Sequence, residues 1–312
     1  MALRRALRQA AKDALHGVFE CGQRFGVDIL PRHYYSSIPD LRALKASDFW
    51  RSPRTMVGVA GSAIDSQVAF AEACCNDSLR NYLQRTNVNG DACHVNGAVG
   101  YGRIEADFLF AFFCTRRPKR IVQIGAGVST AVILHASREF DLKTSILCID
   151  PYPTRNLKQL ALENKIELIV SGAQQVELER ILTLSAGDLL FVDSTHTTRP
   201  DSEVNRLILE ILPRLNQGCF VHFHDIFFPY DYQTSILSEL CFSGESSLLH
   251  AFLTCNSRYQ IAVSLSMLHH AAPERLQRIL PNYRPAPMSY GLYRSVKLVG
   301  HFPSSTYLEV VN

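Results

Sequence analysis

From Ile104 onward the chain alternates short, almost wholly apolar runs with longer amphipathic ones. The apolar runs fall at 120–124, 145–149, 166–170, 188–192 and 219–223. Between them, 130–138, 155–163, 174–183 and 200–215 place apolar residues at helical spacing. Strands that are apolar on both sides and separated by helices predict a parallel sheet covered on both faces. Further along, the pattern predicts a helix over 234–254, a strand over 259–264, a helix over 273–280 and a last strand near 290–294. The expectation is an α/β fold with a doubly wound, mostly parallel seven-stranded sheet whose last pair closes an edge. Upstream, 1–30, 63–86 and 104–114 read as helices and 31–60 as irregular. The Asn- and Gly-rich stretch 87–102 reads as a polar loop. This divides the chain into a helical and irregular N-terminal extension (1–100), a ligand-binding domain (101–300) and a tail (301–312).

Composition narrows the reading. A chain of 312 residues that is 47% hydrophobic has ample core for one large domain with an extension. A net charge of +3 gives no global field for nucleic acid, and none is expected as a partner. The nine cysteines include no C-x-x-C pair and fit no zinc spacing, so they read as reduced thiols packed as small apolar groups. No apolar run approaches the roughly 18 residues of a transmembrane helix. The basic start has no apolar core behind it, so it is not a secretory signal, and the chain reads as cytoplasmic. In the first helix Leu3, Leu7, Ala10, Ala14 and Val18 share a face, with Arg5, Arg8 and Lys12 opposite. Two readings stand: a solvated, basic-faced helix packed on the body, or a helix that meets a membrane surface or a partner. Nothing in the chain indicates its oligomeric state.

The chemistry concentrates at strand ends. The first strand runs into Gly125-Ala-Gly127, which opens a helix. Glycines there permit a sharp turn and close approach of a ligand, and the helix N-terminus favours a negative group. The second strand ends at Asp150, where a carboxylate can accept both hydroxyls of a ribose. Together they point to a nucleoside-containing cofactor. The third strand ends at Gly172-Ala173, the fourth at Asp193-Ser-Thr-His196 and the fifth at His222-Phe-His224-Asp225. Ligands of such sheets bind beyond the carboxyl ends of the strands, so carboxylates and imidazoles converge on one edge. His222 lies deeper in its strand and reads as a hydrogen-bonded core residue. The aromatic run 227–232 reads either as an acceptor lid or as ordinary packing. Tyr101 and Glu105 read as residues that could close over the cofactor, and Glu105 equally as one that caps or solvates its own helix.

Residues 104–294 resemble the class I S-adenosylmethionine-dependent methyltransferases. The closest likeness is to the small-molecule and sugar O-methyltransferase branch, through Phe191-Val-Asp-Ser-Thr-His196 and His224-Asp-Ile226. The resemblance implies a Rossmann-like methyltransferase fold with S-adenosylmethionine as cofactor. Gly125 and Gly127 would face its methionine and ribose, Ser129 and Thr130 its carboxylate, Asp150 the ribose hydroxyls, and Gly172 and Ala173 the adenine, with Asp193 also at the cofactor. Many relatives carry an acid where this chain has Gln123, whose amide would bond the cofactor ammonium without supplying charge. Asp193 and Asp225 would hold a divalent ion such as Mg2+, or Asp193 simply caps its loop. His224 or His196, with Asp225, would take the proton of a hydroxyl on a small molecule or sugar acceptor. A nicotinamide-dependent oxidoreductase also fits the glycine turn and Asp150, although Thr130 stands where a third glycine would be. A non-catalytic methyltransferase-like binding protein fits the loss of charge at Gln123.

Overall fold

The computed structural model describes residues 2–233, 236–286 and 300–312. It divides into two compact units, Met1–Ser47 and Asp48–Asn312. In the first, a helix spans Ala2–Arg24, ending ahead of Pro31. A short helix, Leu41–Lys45, is capped by Asp40, whose carboxylate accepts from the Arg42 and Ala43 N–H groups and pairs with Arg32.

The second unit is built on a seven-stranded sheet. Its strands are β1 (Arg120–Ile124), β2 (Ser145–Ile149), β3 (Glu167–Ile169), β4 (Leu189–Val192), β5 (Phe220–Phe223), β6 (Tyr259–Ser264) and β7 (Thr306–Val310). The order is β3-β2-β1-β4-β5-β7-β6. β1 to β5 are parallel, while β7 runs antiparallel to both β5 and β6. This is the doubly wound, Rossmann-like arrangement the sequence predicts, with the order reversing between β1 and β4. The expected strand at 290–294 lies outside the described residues. What read as a tail is instead β7, with Tyr307, Leu308 and Val310 fully buried.

Alternate strand residues feed two cores. Ile121, Cys148, Leu189, Phe191 and Phe220 pack on one face, and Val122, Leu147, Leu190, Val192, Val221 and Phe223 on the other. The helix Arg103–Arg116 belongs to the first face and is buried at every position from Ile104 to Cys114. A helix apolar on all sides belongs inside a core. Its Asp107 is buried too, and accepts a 2.8 Å bond from the Asn282 amide. Burial pushes that carboxyl up to about 6.

The compact boundary lies at Ser47, not near residue 100. Helices Ile64–Cys74, Asp77–Arg85 and Val88–Asn96 bring Val68, Ala71, Leu79, Leu83, Val88 and Ala92 into the sheet core. The expected single helix over 63–86 is two, because Asn76 accepts from the Leu79 N–H and starts a new one. The expected loop at 87–102 contains a helix for a related reason. Asn87 caps it by accepting from the Gly90 N–H, and Gly97 ends it in the left-handed region at φ +77°. Residues that resemble loop punctuation are here the two ends of a helix. The expected helix over 200–215 widens into a π turn at Leu207–Ile211 and then tightens into a 3-10 turn at Leu212–Arg214, where Pro213 removes a donor.

Candidate active site

The carboxyl ends of β1 to β4 enclose a cavity of about 430 Å3. Gly125 begins it. The Asp193 N–H donates to the Ile124 carbonyl at 2.8 Å, bringing the ends of β1 and β4 together. A Cβ on Gly125 would lie 1.7 Å from the Asp193 carbonyl oxygen, and the backbone there has φ +79°. Only glycine fits both constraints. Gly125, Asp150, Gly172, Ala173 and Asp193 all line the cavity. Asp150 accepts the Ala126 N–H on Oδ2 at 3.0 Å and the Tyr152 N–H on Oδ1 at 2.7 Å. Each oxygen retains a second lone pair, which suits a vicinal diol. Tyr152, Gln174, Gln175 and Arg199 also line the cavity and were not anticipated. The first three directly follow Asp150 and Ala173, so adjacency to those strand ends was the available signal.

Beside this cavity the ends of β4 and β5 form a cluster of acids and imidazoles. His196 (φ +58°) and Asp225 (φ +53°) both adopt left-handed backbone, an uncommon conformation for such residues that often marks functional turns. The His196 carbonyl accepts from the Gly244 and Glu245 N–H groups at 3.0 and 3.2 Å, at the start of the helix Glu245–Leu253. Its Nδ1 bonds Glu245 at 2.6 Å, and its Nε2 sits 3.6 Å from Asp193 and 4.0 Å from Asp225. Burial disfavours charge on His196, but Asp193, Glu245 and Asp225 outweigh it and hold the ring well above the usual imidazole range. His224 is almost fully buried. Its Nδ1 bonds Asp193 Oδ1 at 3.3 Å and lies 3.8 Å from Asp225. The ring of Tyr101 covers it at a centroid distance of 4.8 Å. Its Nε2 has no partner among the described residues. Burial lowers the pKa of this ring as well, yet Asp225 and Asp193 bring it to about 9. Asp193 responds in the opposite sense: burial raises it, and the two imidazoles more than compensate, holding it far below the usual carboxylate range.

Comparison with known proteins fits this geometry. Residues 122–226 match a family model described as a methyltransferase domain, a span that contains the glycine turn, Asp150, both imidazoles and Asp225. This stretch of the chain is therefore similar to a methyltransferase domain. An uncharacterized protein from Archaeoglobus fulgidus is 27% identical to it over 183 residues, which is 56% of this chain and 80% of that protein. Among solved structures, the SAH-bound methyltransferase from Podospora anserina is 16% identical, with a TM-score of 0.41, covering 91% of this chain and 99% of its own. The plantazolicin methyltransferase solved with a substrate analog and SAH is 13% identical, with a TM-score of 0.35, covering 79% and 96%.

Around the glycine turn several expected roles change. Gln123 is fully buried beneath the glycine turn. Its amide donates to Ser129 Oγ at 3.3 Å and its carbonyl accepts from Thr130 Oγ1 at 2.8 Å. Ser129 and Thr130 are buried with it, and Thr130 Oγ1 also accepts the Gly127 N–H at 3.2 Å. These three polar side chains satisfy one another inside the turn instead of facing a cofactor. An acid at 123 would place a charge in that sealed pocket, so the amide suits the position. Gly127 does not line the cavity; a Cβ added there would meet the Asn96 amide at 3.5 Å.

The expected divalent-ion site at Asp193 and Asp225 is not supported either. No group of three or more His, Cys, Asp or Glu side chains among the described residues could hold an ion. Asp193 and Asp225 share the His196 and His224 rings. Asp225 is further tied by Ser304, whose Oγ donates to it at 2.8 Å, and Ser304 N–H donates to Glu105 at 3.0 Å. Glu105 therefore fixes the segment entering β7. His222 is buried and bonds Tyr101 Oη at 3.1 Å and Ser305 Oγ at 3.0 Å, as a core residue. Of the aromatic run, Phe227 and Phe228 are buried in packing, while Tyr230 and Tyr232 are half-buried. Glu245 is a further residue that reading the sequence missed. It lay inside one predicted helix, and only the break into Ile236–Glu239 and Glu245–Leu253 exposes it as a helix start.

Proposed function

We propose that this domain methylates a hydroxyl oxygen of a small molecule or sugar precursor, with His224 as the general base. The observation that carries this reading is the asymmetry of the His224 ring. Asp193 holds Nδ1, while Nε2 is buried and has no partner among the described residues. An acid-oriented imidazole with a free second nitrogen is the usual arrangement for proton abstraction. His196 is a poorer candidate, since Glu245 takes one nitrogen and two carboxylates crowd the other. Its role is that of a buried cation that keeps Asp193 and Asp225 side by side against their mutual repulsion.

The cavity suits S-adenosylmethionine. Asp150 would accept the ribose hydroxyls, and the edge from Gly172 to Gln175 would flank the base. When bound, the cofactor supplies a methyl group already activated on sulfur. The protein then aligns the acceptor, excludes water and removes one proton. The acceptor O–H proton passes to His224 Nε2, the oxygen forms its bond to the methyl carbon, and the carbon–sulfur pair leaves with S-adenosylhomocysteine. Asp193, already anionic, stabilises the resulting imidazolium. No step passes through a metal.

The test is a labelled-methyl assay with a phenol, a catechol and a free hexose as acceptors. The reading expects an alkali-stable methyl ether. An alkali-labile methyl ester, or label transferred only to amines, would overturn O-methylation. Unchanged turnover in His224→Gln would remove the base.

A further inference from the structure

We propose that the N-terminal unit is an interfacial anchor that binds the surface of membranes rich in anionic lipid. The inference stands apart from the methyl-transfer chemistry and rests on how charge and apolar side chains are distributed.

The first observation is charge placement. Through Ser47 the chain has eight Lys and Arg against four Asp and Glu, a net of +4. The rest has 24 against 25, a net of −1. All of the protein's positive excess therefore sits in its smaller unit.

The second is segregation around the helix Ala2–Arg24. At about 100° per residue, Ala10, Ala11, Ala14, Leu15 and Val18 fall within one arc. Arg4 falls inside that arc, and Lys12 and Arg5 lie roughly 60–80° beyond its Leu15 edge. The acids lie beyond the opposite edge, where Asp13 accepts from Gln9 at 2.8 Å and Glu20 lies 3.6 Å from His16. A helix resting on its arc and rolled toward the Leu15 edge would bring Arg4, Lys12 and Arg5 to the lipid phosphates and turn both acids to water.

The third is exposure. Leu15 and Val18 are 44% and 47% exposed, and the segment after the helix presents Phe25, Ile29, Leu30, Tyr34 and Tyr35 to solvent as well. Tyr34 and Tyr35 are 93% and 85% exposed and meet edge to face at 5.2 Å. Aromatic and aliphatic side chains beside a basic flank suit the headgroup region, where amphipathic rings and long cationic stems are favoured. No helix among the described residues is long and apolar enough to cross a membrane, so this one would lie along the surface. Nucleic acid fits less well, because the exposed apolar segment would have no role on a phosphate backbone.

The experiment is co-sedimentation of the full chain with vesicles of phosphatidylcholine alone or with about 30 mol% phosphatidylglycerol, at low and high salt. Binding is expected to the anionic vesicles only, and to fall steeply as salt is raised toward ~0.5 M, where charges beyond about 4–5 Å are screened. The triple variant Arg4→Gln/Arg5→Gln/Lys12→Gln should lower partitioning about 100-fold, since each basic residue near an anionic surface contributes roughly fivefold. Leu15→Glu/Val18→Glu should abolish it. S-adenosylhomocysteine binding, measured in parallel, should be unchanged in both variants and reports that the rest of the chain is folded. Equal binding to both vesicle types, or no binding to either, overturns the proposal. Concentration-dependent dimerisation that the Leu15→Glu/Val18→Glu variant removes, with no vesicle binding, would assign the face to a second copy of the chain instead.

Discussion

Replacing Asp150 with Asn is the most direct test of the cavity. The carboxylate accepts two backbone N–H groups, at 3.0 and 2.7 Å, one on each oxygen. In the proposed complex it also accepts two ribose hydroxyls. An amide offers one oxygen and one NH2. Whichever way it turns, one backbone N–H faces a donor and one hydroxyl loses its anionic acceptor. A hydrogen bond to a charged group contributes about 1.5–3 kcal/mol, so the lost hydroxyl bond should weaken binding about 10- to 150-fold. Titration calorimetry of wild type and variant with S-adenosylhomocysteine measures this directly. A 2′-deoxy analogue provides the control, since it should cost the wild type severalfold and the variant much less if the hydroxyl and Asp150 are partners. The lost backbone bond should also lower the melting temperature by a few degrees. A folded variant that binds S-adenosylhomocysteine as tightly as wild type would refute the placement of the ribose on Asp150.

Four further outcomes follow from the same geometry. His224→Gln should reduce kcat about 100- to 10,000-fold while leaving S-adenosylhomocysteine affinity within about twofold, as loss of a general base requires. With His224 near 9, the ring is protonated at neutral pH and must lose its proton before it can accept one. Wild-type kcat should therefore rise about tenfold per pH unit above 7 and level off near 9, and a profile that falls over this range would exclude His224 as base. Gly125→Ala forces a Cβ onto the Asp193 carbonyl at positive φ and should cost about 3 kcal/mol or more, read as a lower denaturant midpoint at unchanged m-value. Asp107 is raised to about 6 by burial, so it favours folding while protonated, and that contribution is lost as pH rises through about 6. Asp107→Asn should then raise the melting temperature relative to wild type at pH 8, by about half as much at pH 5, and have little effect below about pH 4.

Much of the sheet was legible because strands buried on both sides are apolar throughout. β1, β2 and β6 begin and end where the hydrophobic runs do. Asp150, Asp193 and His224 were legible for the same reason, since the end of an apolar run marks the edge where ligands bind. Side-chain direction was not. Gln123 has the right position in sequence for a cofactor contact, but it sits on the face of β1 that packs inward, where Ser129 and Thr130 complete its hydrogen bonds. The choice between His224 and His196 likewise depended on which ring nitrogen is occupied, and for His196 that is decided by Glu245, 49 residues away. β7 was missed because Thr306-Tyr-Leu-Glu-Val310 is short and carries a charged residue, so its hydrophobic signal is weak until its neighbours are known.

The position of β7 has a consequence for how the protein is made. A ribosome releases residues 306–310 after every other strand, yet they lie between β5 and β6. Until they emerge, the nascent sheet has a gap in its interior with two unpaired edges facing it. Those edges are open to pairing with other chains. The same late segment delivers Ser304 to Asp225, so the reactive edge takes its final form only when synthesis has passed that point.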